Sequence, residues 1–70
     1  MVDINLLKRR IADSGITIAH IAKEAGMSRE TFYNRLENPE FKVSEAQRIG
    51  KTLHLTEQEF LQIFFASNVN

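Results

Sequence analysis

The side chains best equipped for chemistry in this 70-residue chain cluster between Ser28 and Arg35. Arg29 and Arg35 each carry several N–H donors, and the Asn34 amide both donates and accepts. Guanidinium and amide groups form paired hydrogen bonds with planar partners such as carboxylates, phosphates and base edges. The segment therefore predicts recognition of a polar partner by hydrogen bonding.

Metal-binding and catalytic chemistry has much weaker support in the sequence. His20 and Glu24 are one helical turn apart, but two ligands without a third favour a solvated ion pair over a metal site. Cysteine is absent, which excludes disulfides and thiolate sites and fits a reducing compartment. The sequence has no Ser/His/Asp pattern, phosphate-cradling glycine loop or paired buried carboxylates. We therefore expect no enzyme activity, no metal and no cofactor.

The composition is that of one globular domain spanning residues 1–70. Apolar residues make up 43% and charged residues 26%, which excludes a disordered chain. The net charge of zero argues against a nucleic-acid partner. However, residues 1–36 hold six basic and four acidic side chains, and residues 37–70 hold three and five, as expected for one phosphate-facing side. Without a membrane-length apolar run, we expect a soluble, cytoplasmic protein with no membrane partner.

Five helices, and no strands, are needed to position these side chains. Apolar residues recur at helical spacing along the chain, and each helix has a polar residue that can cap its start. Gly15, Gly26 and Pro39 end the first three helices, and His54 occupies a helix-end position where glycine or asparagine is more usual. The predicted caps are Asp3, Thr17, Ser28, Ser44 (with Gln47 in a capping box) and Thr56 (with Glu59 in another).

The second and third helices form the most informative unit. Ala22, Gly26 and Ser28 supply a small side chain between two crossing helices, a left-handed turn residue and an immediate cap for the next helix. The stretch TIAHIAKEAGMSR, residues 17–29, resembles the helix-turn-helix of the lambda-repressor-like superfamily, the Cro/CI type. Residues 26–39 are especially similar to short Cro-like regulators of phages of Gram-positive bacteria, and the similarity continues into the fifth helix.

The resemblance implies an all-α, compact five-helix DNA-binding domain with its helix-turn-helix at residues 17–36. The third helix would enter the major groove, where Arg29 would contact guanine, Asn34 adenine and Glu30 cytosine, while Tyr33 would touch sugar or phosphate. The implied function is a Cro-like phage or prophage repressor that binds a pseudo-palindromic operator as a homodimer and blocks transcription by occupancy. The implied DNA-binding residues are Thr17, Ile18, Ser28, Arg29, Glu30, Thr31, Tyr33, Asn34, Arg35 and Lys42.

Simpler interpretations of the same residues stay open. Arg29 and Glu30 can be solvated first-turn charges, and Tyr33 can be a packing residue. The run of three basic residues at 8–10 is more simply a solvated face of the first helix. A different function is also open: a helix-turn-helix protein-interaction module, an antirepressor or antitoxin, acting through a partner regulator. The zero net charge and the apolar fifth helix favour that alternative.

The fifth helix, expected within residues 56–66, bears on the oligomeric state. Phe60 and Phe64 share one face and should complete the core, whereas Leu61, Ile63 and Phe65 lie outside that stripe. Apolar surface on two sides of a helix predicts a partner. A two-fold dimer through these three residues would set two recognition helices about 34 Å apart, one turn of DNA. The alternative is that all five residues fit inside one core.

Overall fold

The structure is a computed structural model that describes residues 1–66. Those residues form five helices and no strand, which confirms the all-helical prediction. The helices are α1 (Ile4–Ser14), α2 (Ile18–Glu24), α3 (Arg29–Glu37), α4 (Val43–Thr52) and α5 (Glu57–Phe64). None of these helices is long and apolar enough to cross a lipid bilayer.

Four of the five predicted helix caps are confirmed. Oxygens of Asp3, Thr17, Ser28 and Thr56 each accept a hydrogen bond from the backbone N–H three residues later, at 3.0 or 3.1 Å. Thr56 also donates its own N–H to the Glu59 carboxylate at 2.9 Å, which completes the predicted capping box. Each such cap stabilises a helix start by about 1 kcal/mol. The starts of α1, α2, α3 and α5 are therefore set by local hydrogen bonding.

The predicted start of α4 at Ser44, with Gln47 as its partner, is wrong. The helix begins at Val43, and Lys42 is its N-cap residue. The Lys42 N–H donates to the Glu45 carboxylate at 2.9 Å, and this bond takes the place of the expected one at Gln47. Since a lysine side chain has no acceptor, only the Glu45 half of a capping box can form here. The sequence allows two overlapping pairings at the start of α4, Ser44 with Gln47 and Lys42 with Glu45. The structure has the second, in which the acceptor is a charged carboxylate.

The core lies where the inner faces of all five helices meet. Phe32 of α3 is fully buried, and its ring lies edge-on to Phe41 with centroids 6.2 Å apart. Phe41 in turn lies edge-on to Phe64 of α5 at 5.7 Å, so an aromatic row links α3 to α5. The remaining buried apolar residues are Leu7, Ile11, Ile21, Ala22, Ala25, Ala46, Ile49, Leu53 and Ile63.

Ile63 does not lie on an outer surface, as the sequence pattern predicts, but in the core with an exposure of 0%. The start of α1 covers this part of α5, and the Asp3 N–H donates to the Ile63 carbonyl at 2.7 Å. The buried arc of α5 therefore widens to include Ile63 beside Phe64. The prediction that Ile63 forms part of a dimer interface is therefore corrected, whereas Leu61 and Phe65 do lie outward, at 48% and 52% exposure.

The end of α4 carries a left-handed residue that is not glycine. His54 has φ = 56°, as its helix-end position predicted. The Leu55 N–H donates to the Gly50 carbonyl at 2.9 Å and the His54 N–H to the Lys51 carbonyl at 3.2 Å. These two bonds form a Schellman motif, whose left-handed position glycine normally occupies. An L-residue there costs about 1–2 kcal/mol relative to its preferred conformations.

We expect His54→Gly to raise the free energy of unfolding by about 1 kcal/mol, because glycine removes the left-handed penalty and keeps both backbone bonds. For a domain of this size the midpoint of thermal unfolding should rise by about 4–8 °C. His54→Ala is the matched control, since it removes the imidazole and keeps the Cβ. Equal melting temperatures for the two variants would show that the backbone conformation carries no penalty.

Candidate nucleic-acid interface

The corner between α2 and α3 is built on Gly26. With φ = 79°, it follows the last turn of α2, and the Met27 N–H donates to the Ala22 carbonyl at 3.0 Å. The Gly26 N–H donates to the Lys23 carbonyl, also at 3.0 Å, which completes a second Schellman motif. Ala22 is buried, as expected of a small residue between packed helices. The corner allows α3 to begin at Arg29, three residues after the glycine.

The outer side of α3 is a row of exposed hydrogen-bonding side chains. Phe32 anchors the inner side, and the exposed residues recur one turn apart on the opposite side. Ser28 and Thr31 border this row, and the Ser28 hydroxyl donates to Thr31 Oγ1 at 2.9 Å. Thr31 therefore keeps its own O–H for an outside acceptor. The exposed row, which we call the α3 outer face, consists of Arg29, Glu30, Tyr33 and Asn34.

A hollow of about 550 Å³ adjoins the α3 outer face. Tyr33 and Asn34 line one side of it, and Ile18 and Lys8 line the others. Tyr33 is 49% exposed, so its ring is neither a core residue nor a fully free side chain. Ile18 contributes apolar surface. The remaining lining residues are Ile11, Ala12, Leu36 and Glu37.

Lys8 is the residue at this surface that sequence reasoning placed on a solvated face of α1. Its neighbours across the hollow, Tyr33 and Asn34, are more than 20 residues away along the chain, so no local pattern links them. The sequence signal that could have pointed to Lys8 is the run of three basic residues at 8–10. Its three members separate in the structure, because Arg10 pairs with Glu59 of α5 at 3.5 Å while Arg9 is exposed.

Arg35 does not belong to the α3 outer face. Its guanidinium forms an ion pair with Glu45 of α4, and its Cζ lies 6.0 Å from the centre of the Phe41 ring. The Arg35 side chain is only 23% exposed and the Glu45 side chain 14%. The charge of Arg35 is therefore used within the protein to join α3 to α4, and its contact with DNA stays a prediction. Lys42, by contrast, is exposed at the N-cap of α4.

The Glu45 carboxylate is held in its charged form. Partial burial acts to raise its pKa, but hydrogen bonds from Arg35 and from the Lys42 N–H, with the positive charges of both residues, outweigh burial and lower the pKa below its usual 4.5. An acid with a lowered pKa stabilises the fold above its unfolded pKa, and the contribution disappears as the pH falls through the folded value.

We therefore expect Glu45→Gln to lower the free energy of unfolding by about 1–2 kcal/mol at pH 7, because the variant breaks charge-assisted hydrogen bonds. The difference from the wild type should shrink as the pH falls below about 4.5, and it should be small below the lowered pKa of the folded carboxylate, where the wild-type side chain is also neutral. Urea unfolding followed by circular dichroism at pH 7 and pH 3 measures both values. Glu40→Gln, at an exposed site in the α3–α4 connection, is the control, and a pH-independent difference would contradict the assignment.

His20 and Glu24 both line a second hollow, between α2 and α4. Within residues 1–66, no three histidine or acidic side chains are grouped closely enough to share a metal ion.

Thr17 is exposed at the start of α2, where its hydroxyl oxygen caps the helix by accepting a hydrogen bond from the His20 N–H.

Comparisons of the chain with protein-family models, with curated proteins and with solved structures give no match. Its function is therefore argued from its own side chains.

Proposed function

We propose that this protein is a sequence-specific DNA-binding transcriptional regulator of the lambda-repressor-like helix-turn-helix class, with α2 and α3 as the helix-turn-helix. The α3 outer face carries the proposal. It presents Arg29, Glu30 and Asn34, exposed, on a helix held from behind by the buried Phe32. A helix of about 10–12 Å diameter fits the major groove of B-DNA, where such side chains distinguish base pairs.

Contacts to the DNA backbone are expected to come from the edges of this face. Thr17 lies at the start of α2, and Lys42 lies at the start of α4 beyond the far end of α3. Ser28 and Thr31 lie at the beginning of α3, and Lys8 lines the adjoining hollow together with Asn34. Backbone contacts on several sides would fix the register of α3 in the groove, while the outer-face side chains supply the sequence preference.

We propose that two copies bind an operator with two-fold symmetry. Leu61 of α5 and Phe65, the C-cap residue of α5, are large apolar side chains that are about half exposed. They line a hollow of about 550 Å³ together with Leu6 of α1. Around a two-fold axis, Phe65 of each copy can enter the hollow of the other, which makes a self-complementary contact. Such a dimer would operate as a repressor by occupying the operator.

The direct test is a selection of bound duplexes from a random pool, followed by a gel shift of the recovered sequence over a range of salt concentrations. We expect a pseudo-palindromic sequence, and an affinity that falls steeply with salt because phosphate contacts release counterions. Failure to retain any duplex at low salt would overturn the proposal. Recovery of a sequence without two-fold symmetry would support DNA binding by this protein but would exclude the proposed dimer.

The second candidate function is a helix-turn-helix module that binds another protein. The hollow beside the α3 outer face favours it, since Ile11, Ile18 and Leu36 form apolar walls that could hold a partner's side chain. The net charge of zero favours it as well. A tight complex with the product of a neighbouring gene, with no DNA shift at low salt, would support this module over the DNA reader.

A further inference from the structure

The hollow between α2 and α4 gathers basic side chains that the proposed DNA surface does not use. Its volume is about 570 Å³. Arg48 and Lys51 come from α4, His20 from α2 and His54 from the turn after α4. Glu24 of α2 is the one carboxylate of the lining, which Ile16 and Thr52 complete. Two permanent cations and two histidines therefore line this hollow with a single acidic residue, and His54 also lines a separate hollow with Arg10, Asp13 and Glu59.

His54 is present in this hollow in spite of its unfavourable backbone conformation. A glycine at φ = 56° would satisfy both Schellman hydrogen bonds without the left-handed penalty. Residues held in strained conformations are concentrated at functional sites. Since the imidazole of His54 lines the hollow, the strain points to a use for that side chain.

Arg48 and Lys51 keep their charges available to an outside anion. Both residues are exposed, and neither has a carboxylate within ion-pair distance among residues 1–66. Arg48 extends toward the α2–α3 corner, where its Nη1 lies 3.1 Å from the position that a Cβ on Gly26 would occupy. The missing side chain at Gly26 thus leaves room for the guanidinium at the edge of the hollow.

We propose that this hollow binds a phosphate-type dianion, held by Arg48 and Lys51 with hydrogen bonds from the ring N–H groups of His20 and His54. An imidazole always keeps at least one N–H donor, so each histidine can donate to a phosphate oxygen. Glu24 opposes the anion and limits its affinity. The site is independent of the proposed DNA surface, because the two share no residue. The phosphate group can belong to a small phosphorylated compound or to a nucleic-acid backbone.

The test is a titration with sodium sulfate at pH 7, followed by NMR of the histidine side chains, with sodium chloride holding the ionic strength constant. Sulfate serves as the probe because it is a tetrahedral dianion at this pH, like the proposed ligand. We expect saturable shifts of the His20 and His54 side-chain signals. Shifts that do not saturate, or that chloride alone reproduces, would overturn the site.

Two variants and a matched control locate the anion. Lys51→Gln should weaken sulfate binding by about twofold to fivefold, as expected for one exposed charge, whereas Lys23→Gln removes an equal charge from α2 outside the hollow and should have no effect. His54→Gly should weaken sulfate binding through loss of the imidazole N–H donor, while it gains stability. Equal sulfate affinities for the Lys51 and Lys23 variants would overturn the proposal.

A second titration identifies the source of the phosphate. If a random duplex shifts His20 and His54, and Lys51→Gln weakens that duplex as much as it weakens sulfate, the ligand is the DNA backbone. If pyrophosphate binds and the Lys51 variant keeps its affinity for the duplex, the ligand is a small phosphorylated compound. Both results support a phosphate site, and neither depends on whether the α3 outer face reads bases.

Discussion

Phe65→Asp is expected to give a folded monomer that binds the selected operator at least about 100-fold more weakly than the wild type. Phe65 is 52% exposed and lies outside the buried core, so the variant should still fold, although loss of the ring contact with Phe60 costs some stability. In a two-fold dimer, however, the new carboxylate would be desolvated beside its own symmetry copy, and an unpaired charge at an interface is strongly unfavourable. Without the dimer, the gain from linking two half-site contacts disappears, and that gain is about 10²–10⁴.

Sedimentation velocity measures the oligomeric state directly, since the monomer mass is 8.1 kDa. Val43→Asp is the matched control: it places the same charge at a large apolar residue that is 59% exposed and lies at the start of α4. The control should stay dimeric. Because the Phe65 ring also lies 5.9 Å from Phe60, the Phe65 variant can lose stability, and Leu61→Asp then provides the second test. Folded dimers of both variants would place the interface elsewhere.

The features that the sequence predicts well are those determined by near neighbours. The caps at Asp3, Thr17 and Ser28 each depend on one side chain and one N–H three residues away, so the spacing alone is sufficient. The left-handed corner at Gly26 follows in the same way from the low cost of positive φ in glycine. Even the helix-end position of His54 could be predicted, because the helical spacing of α4 stops there.

The features that the sequence predicts poorly depend on tertiary contacts. Arg35 looks like a free cation on α3, and only the approach of α4 shows that Glu45, ten residues later, pairs with it. Ile63 looks like an outward residue until the start of α1 is seen to cover it. Lys8 and Asn34 line the same hollow, a proximity that no periodicity in the sequence indicates. The α3 outer face consists of four of the predicted residues, Arg29, Glu30, Tyr33 and Asn34. Arg35 lies outside that face, and Lys8, which was not predicted to contact DNA, lines the hollow beside it.

Arg29→Ala is expected to remove the preference for guanine at one position of each half-site and to leave the fold unchanged. Arg29 is exposed in the first turn of α3, and no ion pair joins its guanidinium to another described residue. Truncation therefore breaks no ion pair with another described residue. A bidentate arginine–guanine pair contributes about 1–3 kcal/mol of discrimination. The variant should therefore lose about 5- to 150-fold of preference at that position.

Lys42→Ala separates loss of base reading from loss of charge. Lys42 is also an exposed cation, but its place at the start of α4 suits a phosphate contact and not a base edge. Its loss should weaken all sequences alike and reduce the salt slope by about one ion per subunit, without changing the selected sequence. Selections from one random pool with both variants and the wild type therefore measure two different kinds of change.

The same selections can reject Arg29 as a base reader. If Arg29→Ala recovers the wild-type sequence with a uniform loss of affinity, the Arg29 side chain contacts only phosphate. Asn34→Ala then becomes decisive, because Asn34 lies further along the same outer face and can pair with adenine. A changed preference for that variant alone would mean that α3 enters the groove with its second half, beside Tyr33 and Lys8. Unchanged preferences for both variants would contradict direct base reading by the α3 outer face.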